Sequence, residues 1–194
     1  EGNWEDEAAR YYLNIVGKYG VQVQGLLKKA SALDIAVICP LHGPILKDDL
    51  AFYLEKYQIW STYQPEQKGV LVAYASVHGN TAHAAELLAQ MLRQKGEEHV
   101  EVMDLARTDM SVAVRKAFFY DRMVVAAATY DGGLFPCMEE FLLHMKSKGF
   151  QKRTVGIMEN GSWAPMAGKA MRAILETMKQ ITFAEPTVTI KSAV

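Results

Sequence analysis

From Lys68 onward the chain alternates short apolar runs with amphipathic stretches of helical period. Val70–Ala75 reads as a strand. Thr81–Gln94 reads as a helix, with Ala84, Ala85, Leu87, Leu88, Met91 and Leu92 at its apolar positions. Val100–Leu105 is a second strand, Val112–Phe119 a short helix and Arg122–Ala128 a third strand. Phe135–Lys148 is a helix, Thr154–Met158 a fourth strand, Met166–Lys179 a helix and Thr187–Lys191 a fifth strand. Arg122–Ala128 is apolar almost throughout, as a strand buried on both faces should be. Strands separated by helices predict the α/β class, with a parallel sheet and right-handed crossovers. Five such strands with a tight polar turn after the first predict the doubly wound order 2-1-3-4-5.

Residues 1–67 follow another plan. Glu5–Lys29 reads as mostly helical, with a break near Gly17–Gly20. Asp34–Cys39 reads as a strand, Pro40-Leu41-His42-Gly43-Pro44 as a rigid loop and Leu50–Trp60 as a helix. Gln64–Gly69 is polar and carries Pro65, so a domain boundary is placed there, between 1–67 and 68–194. The first segment is too short of strands to be a complete domain. The sequence begins at Glu1 without a methionine, which reads as a piece of something longer.

Half of the residues are hydrophobic (50%), enough for a sizeable core, and the net charge is −1. Lys and Arg are spread along the chain, which argues against nucleic acid as a partner. Apolar runs such as Met123–Ala128 are too short to span a membrane, and no signal peptide is visible. Cys39 and Cys137 lack Cys-x-x-Cys spacing, so a reduced, cytoplasmic setting is expected.

The turn after the first strand is Ser76-Val77-His78-Gly79-Asn80-Thr81. Free backbone N–H groups at a helix start, with the helix dipole, form an anion site, and hydroxyl and amide side chains at Ser76, Asn80 and Thr81 add donors. A simple N-cap with a glycine turn is the alternative. The lysine of a triphosphate loop is absent, and so is the G-x-G-x-x-G of a dinucleotide site. A monophosphate fits best.

In a doubly wound sheet, ligands bind at the carboxyl ends of the strands near the switch in strand order. The loops after strands one, three and four should therefore share a site. The loop after strand three holds Thr129, Tyr130, Asp131, Gly132 and Gly133; the loop after strand four holds Asn160, Gly161, Ser162 and Trp163. Two aromatics beside a phosphate turn suit a flat, phosphorylated ring system, and flavin mononucleotide (FMN) is such a ligand. Tyr130 and Trp163 can stack on the ring. The packing alternatives are Tyr130 against Phe135 and Trp163 closing the core. Gly132 suggests an Asp131–Gly132 peptide that flips to offer its carbonyl to the ring, because glycine tolerates positive φ.

With these loops in place, nearly the whole chain resembles the C-terminal part of flavodiiron proteins (A-type flavoproteins), which join a metallo-β-lactamase-like domain to a flavodoxin-like domain. The stretch Ser76–Thr81 is similar to the family's phosphate loop, Thr129–Pro136 to its second flavin loop and Gly161–Trp163 to its third. Cys39-Pro40-Leu41-His42-Gly43-Pro44 is similar to the loop that gives the last histidine ligand of the diiron site, so the resemblance makes His42 a metal-ligand candidate.

The resemblance implies a flavodoxin-like FMN module that relays electrons, carried behind the end of a lactamase-like segment. It implies a homodimer and an electron donor such as rubredoxin or an NAD(P)H-linked reductase. The acceptor would be a diiron centre, present in the parent protein only, that reduces O2 or NO. His78 departs from the family's usual aromatic or hydroxyl residue, and Asp131 from a common asparagine. The other diiron ligands and the family's final helix are missing, and one sheet face should be partly bare unless residues 1–60 or a neighbour cover it. A stand-alone NAD(P)H:quinone reductase and a non-catalytic flavodoxin-like binding module are the competing readings.

Overall fold

The computed structural model describes residues 4–192. Its strands are β1 (Gln67–Ala75), β2 (Val100–Asp104), β3 (Tyr120–Tyr130), β4 (Gly133–Leu134), β5 (Gln151–Asn160) and β6 (Lys179–Ile190). The order is β2-β1-β3-β5-β6, all parallel, with β4 paired antiparallel to β3. The expected doubly wound α/β sheet is therefore present. The short β4 is an addition that the sequence pattern does not announce.

The helices are α1 (Trp4–Tyr11), α2 (Gly20–Ala30), α3 (Leu50–Ser61), α4 (Asn80–Gln94), α5 (Met110–Phe119), α6 (Pro136–Ser147) and α7 (Ala167–Leu175). One sheet face carries α5, α6 and α7, whose Val114, Phe141, Met145 and Met171 pack on Leu71, Met123, Val125 and Val155. The other face carries α4, whose Ala85 and Leu88 meet Val70, Val72 and Val124. Beyond α4, Thr182, Ala184 and Val188 of β6 pair with Thr154, Gly156 and Met158 of β5 and stay exposed. That face is partly bare, as expected.

Two elements differ from the sequence expectation. The helix expected over 166–179 ends at Leu175, and the last strand starts at Lys179 rather than Thr187. Ile181 and Phe183 turn onto the core while Gln180, Thr182 and Ala184 face out, a two-residue period. Pro186 hides this strand in the sequence. It lacks an N–H, and it lies on an edge strand where the β5–β6 register shifts. The strand expected at Asp34–Cys39 is only one antiparallel bridge, Ile38 with Leu46, spanning the Pro40–Pro44 loop. Among the described residues no further strand lies beside it to extend the pairing.

Residues 4–61 pack onto α5 rather than onto the bare face. Ala9, Tyr12, Leu13 and Trp60 belong to the same core as the sheet. The expected break near Gly17–Gly20 is a tight 3-10 turn at Gly17–Tyr19. A Cβ at Gly20 would lie 2.4 Å from the Ser61 carbonyl oxygen, so α2 and α3 can cross here only over glycine. A polar brace holds the segment. Arg115 donates to Asp6 at 3.0 Å and to Glu66 at 2.7 Å, and Glu66 also accepts from Trp60 Nε1 at 3.0 Å. Asp49 stands before α3 in a left-handed conformation, and its side chain does not cap the helix.

Arg153 on β5 is buried and donates to the carbonyls of Tyr120 at 2.7 Å, Tyr63 at 2.8 Å and Phe118 at 2.6 Å. Burial pulls its guanidinium down to about 10, so it remains charged at neutral pH. Its planar fork joins the end of α5, the start of β3 and the segment after α3. Arg153→Met strips several buried carbonyls of their donor and should cost about 3–5 kcal/mol in urea unfolding. Arg153→Lys should recover only part of that loss. A loss under about 1 kcal/mol for the methionine variant would contradict the brace.

Candidate functional site

The strand order reverses between β1 and β3, and a cleft of about 280 Å³ opens there at the carboxyl edge. It is lined by Ser76, Val77, His78, Asn80, Thr81, Ala128, Thr129, Tyr130, Asn160 and Gly161. The structure thus brings together the predicted turn after β1 with parts of the loops after β3 and β5. Gly79, Asp131, Gly132, Gly133, Ser162 and Trp163 belong to the same loops but do not line this cleft. Ala128 was not singled out in the sequence. As a small residue at the end of an apolar strand it carries no chemical signal, yet it lines the cleft.

The floor of the cleft is the N-terminus of α4. Gly79 precedes the helix at φ +91°, and no side chain caps it. Intrahelical bonding begins with His83 N–H donating to the Gly79 carbonyl at 2.8 Å. The N–H groups of Asn80, Thr81 and Ala82 precede that bond and have no helical acceptor. Ser76 Oγ accepts from Gly79 N–H at 3.1 Å, which fixes the turn and leaves the serine proton free to donate. Thr81 is 2% exposed and lines the cleft, and its hydroxyl makes no hydrogen bond to any described residue. These donors fit a terminal phosphate, and no side chain blocks the seat.

The loop after β3 is a two-residue hairpin. Tyr130 pairs with Gly133 and Thr129 with Leu134, leaving Asp131 (φ +48°) and Gly132 (φ +70°) at the tip. Positive φ at both central residues is a type I′ turn, and Asp-Gly is a favoured pair for it. This alters the sequence expectation of a freely flipping Asp131–Gly132 peptide. A flip keeps φ positive at Asp131 but swings its ψ into a region that essentially only glycine occupies. Tyr130 packs edge-on against Phe135 at 5.5 Å and remains half exposed, so the packing contact and a free ring face coexist.

The loop after β5 is held from below. Thr129 Oγ1 accepts from Met166 N–H at 2.9 Å and Ala167 N–H at 3.2 Å. Glu159 Oε2 accepts from Gly168 N–H at 2.7 Å, and its Oε1 from the Thr189 hydroxyl at 2.9 Å. A Cβ at Gly168 would press on that carboxylate at 2.9 Å. Glu159 is the positioning residue that the sequence pattern did not single out, although a lone acid at the end of an apolar strand was a signal. Asn160 exchanges hydrogen bonds with the Ser192 backbone. Trp163 is 90% exposed, so it does not close the core.

Two other candidates resolve simply. Burial pushes the Cys137 thiol up, and the residue packs against the core rather than being acidified by its helix. His42 lies against the Tyr11 ring at 5.7 Å, on the wall of an apolar cavity of about 420 Å³. Among the described residues no group of three His, Cys, Asp or Glu side chains could hold a metal, so this chain does not fit a diiron centre. Among them, too, no helix is long and apolar enough to cross a membrane.

Comparison with known proteins agrees with this geometry. Residues 71–184 match the family described as flavodoxin domain. An uncharacterized protein of Methanocaldococcus jannaschii is 30% identical over 145 residues, 75% of this chain and 36% of its own. The nitric oxide reductase of Moorella thermoacetica is 26% identical over 189 residues, covering 96% of this chain and 47% of that protein. The rubredoxin oxygen:oxidoreductase of Desulfovibrio gigas superposes with a TM-score of 0.89 at 24% identity, over 98% of this chain and 48% of that one. The chain thus spans about a third to a half of the length of these proteins. It belongs to the flavodoxin domain family.

Proposed function

We propose that this chain is the FMN-binding, electron-transfer part of a flavodiiron-type oxidoreductase. Electrons would arrive from a donor such as rubredoxin or an NAD(P)H-linked reductase and leave toward a diiron centre that reduces O2 or NO. The observation that carries the reading is the convergence of the uncapped N–H groups at the start of α4 with the unpartnered Thr81 hydroxyl, which opens into the cleft. The names of the similar proteins supply the reaction class. Bound flavin would supply the one- and two-electron chemistry.

The protein's part is to seat and orient that group. Ser76, Asn80 and Thr81, with the N–H groups of the first turn of α4, donate to the phosphate. Val77 and Gly79 shape the turn, the latter through its positive φ. Tyr130 offers a ring face braced by Phe135, and Trp163 is free to close over the ring from the other loop. Thr129 lines the cleft while anchoring α7, and Asp131, Gly132, Gly133, Asn160, Gly161 and Ser162 border the ring's polar edge. In this reading residues 1–67 are the end of a lactamase-like domain and 68–194 the flavin domain. His42 would reach metal only beside ligands from outside this chain. The setting is a cytoplasmic homodimer.

Thr81→Asp places a negative charge where the phosphate should sit. FMN affinity should fall at least ~100-fold, since like charges in one site cost several kcal/mol. Riboflavin affinity, read by the same fluorescence titration, should change little. Undiminished FMN binding would place the phosphate elsewhere.

Asp131 holds the hairpin tip against a peptide flip. Asp131→Gly should therefore change the separation of the two one-electron flavin potentials, by an amount set by released strain of about 1–3 kcal/mol. A redox titration with unchanged separation would show that this peptide does not act on the flavin.

A further inference from the structure

A third pocket, of about 180 Å³, opens at the amino edge of the sheet, where β5 begins at Gln151 and β6 at Lys179. It shares no lining residue with the cleft at the carboxyl edge. Lys18, Lys146 and Lys179 line it, and no Asp or Glu does. Among the described residues none of these three ammonium groups makes a hydrogen bond or an ion pair, and Lys18 only lies over the Tyr19 ring at 5.0 Å. We propose that this pocket seats a small, multiply charged oxyanion of the phosphate class. Lys18, Lys146 and Lys179 would hold it across the joint between residues 4–67 and the sheet.

Lysines near the carboxyl end of a helix are ordinary partners of its dipole, and α6 and α7 both end beside this pocket. Each end carries roughly half a negative charge. Two ends therefore offset about one of the three positive charges and leave about two unanswered. Like charges around one small pocket repel, and a dianion turns that repulsion into attraction. A phosphate group carries about −1.5 to −2 at neutral pH and offers several acceptor oxygens. Gln151 adds a donor. One hydrogen of its Nε2 goes to the Gly149 carbonyl at 3.0 Å, and the other meets no described acceptor.

Backbone strain gathers at the same place. Six described residues other than glycine have positive φ, and three of them border this pocket: Tyr63 (+60°), Lys152 (+58°) and Gln180 (+54°). Tyr63 lines it, Lys152 follows Gln151, and Gln180 follows Lys179. Such conformations concentrate at ligand sites, where the surrounding structure holds them. Gly149 lets the end of α6 approach the Tyr63 ring, which a Cβ would meet at 3.4 Å. The Tyr63 hydroxyl donates to the Gly17 carbonyl at 2.8 Å and so fixes the turn that carries Lys18. Lys18 comes from one side of the Pro65 joint, and Lys146 and Lys179 from the other. An anion between them ties the two parts together. The volume suits phosphate or pyrophosphate rather than a nucleoside, since pockets for whole small molecules start at about 300 Å³.

The experiment titrates pyrophosphate, by calorimetry and by thermal melting, into Lys18→Gln, Lys146→Gln, Lys179→Gln and the triple variant. Each is made in the parent chain and in the Thr81→Asp chain, whose carboxyl-edge cleft should refuse a phosphate. The Thr81→Asp chain should bind pyrophosphate with a dissociation constant below about 1 mM and melt higher in its presence. Each lysine variant should weaken that binding about tenfold, and the triple variant should lose both the binding and the gain in melting temperature. Without pyrophosphate each lysine variant should melt no lower than its parent, because only repulsion is removed. Lys95→Gln, at the end of α4 and off this pocket, should bind like the parent. Adenosine diphosphate identifies the source of the anion. Binding tighter than pyrophosphate assigns the seat to the end of a nucleotide, weaker binding assigns it to a free anion, and either supports the phosphate class. Undiminished binding by the triple variant, or equal weakening by Lys95→Gln, would overturn the seat. So would an absence of binding at about 10 mM pyrophosphate. Binding that Thr81→Asp abolishes and the triple variant keeps would belong to the cleft, and only this inference would fall.

Discussion

The parallel pairing of β1 with β3 is the constraint on which the site depends. From the end of β1 the chain crosses one sheet face as α4 to reach β2, then returns across the other face as α5 to reach β3. The two crossovers diverge, so nothing lies over the carboxyl ends of β1 and β3. A cleft is left there by topology alone. The same geometry aims the first turn of α4 along the strand axis into that cleft. The donors at Asn80 and Thr81 are then unpaired because of where the helix starts. The fold creates an electrostatic demand that no side chain on its wall fully answers.

Holding such an edge open requires firm anchoring beneath it. The N–H groups at the start of α7 are taken up by Thr129 and by Glu159, which ties the ends of β3, β5 and β6 into one unit. Gly161 allows the tight approach of Pro165, where a Cβ would lie 2.9 Å away. Trp163 can therefore be almost fully exposed on a loop whose base is fixed. At the opposite end of the sheet, Arg153 does the corresponding work with main-chain carbonyls. Buried polar groups are satisfied at both ends, and the middle of the sheet is left to apolar packing.

The sequence was most legible where period and punctuation agreed. The apolar run at Arg122–Ala128, the helix after Thr81 and the glycine turn before that helix state the sheet order and the place of the cleft. Legibility failed where one residue sent two messages. The last strand was expected only after Pro186, over Thr187–Lys191, yet Pro186 sits at a register shift inside the edge strand. Asp34–Cys39 read as a strand, but an apolar run does not state the presence of a partner to pair with, and only the Ile38–Leu46 bridge forms. Thr129 read as a ligand contact, and its hydroxyl also anchors the start of α7 while it lines the cleft. Asp131 read as a charge near a ring, while its positive φ makes it first a turn residue. For Pro186 and Thr129 the deciding contact comes from a residue distant in sequence, which local pattern does not encode.

The segment before β1 shows the same interplay between local plan and tertiary demand. Its composition sets it apart from the sheet-forming residues after it, and Pro65 marks a joint. Yet Trp60 donates to Glu66 at the joint itself, and Glu66 accepts from Arg115 in α5. Both members of that ion pair are almost wholly buried, and each has a second partner, Asp6 for Arg115 and Lys56 for Glu66, so the latch is a small charge network. Tyr12 and Leu13 meanwhile fill the layer outside α5 that would otherwise face water. Whatever the origin of residues 4–61, the helical face of the sheet is completed by them, and Glu66 acts as the latch between the two parts. The apolar cavity beside His42 lies on the far side of that layer, away from the flavin cleft. The two parts of this chain are thus joined by charge and packing, at Glu66 with Arg115 and at Tyr63 with Arg153, while the cleft and the apolar cavity share no lining residue.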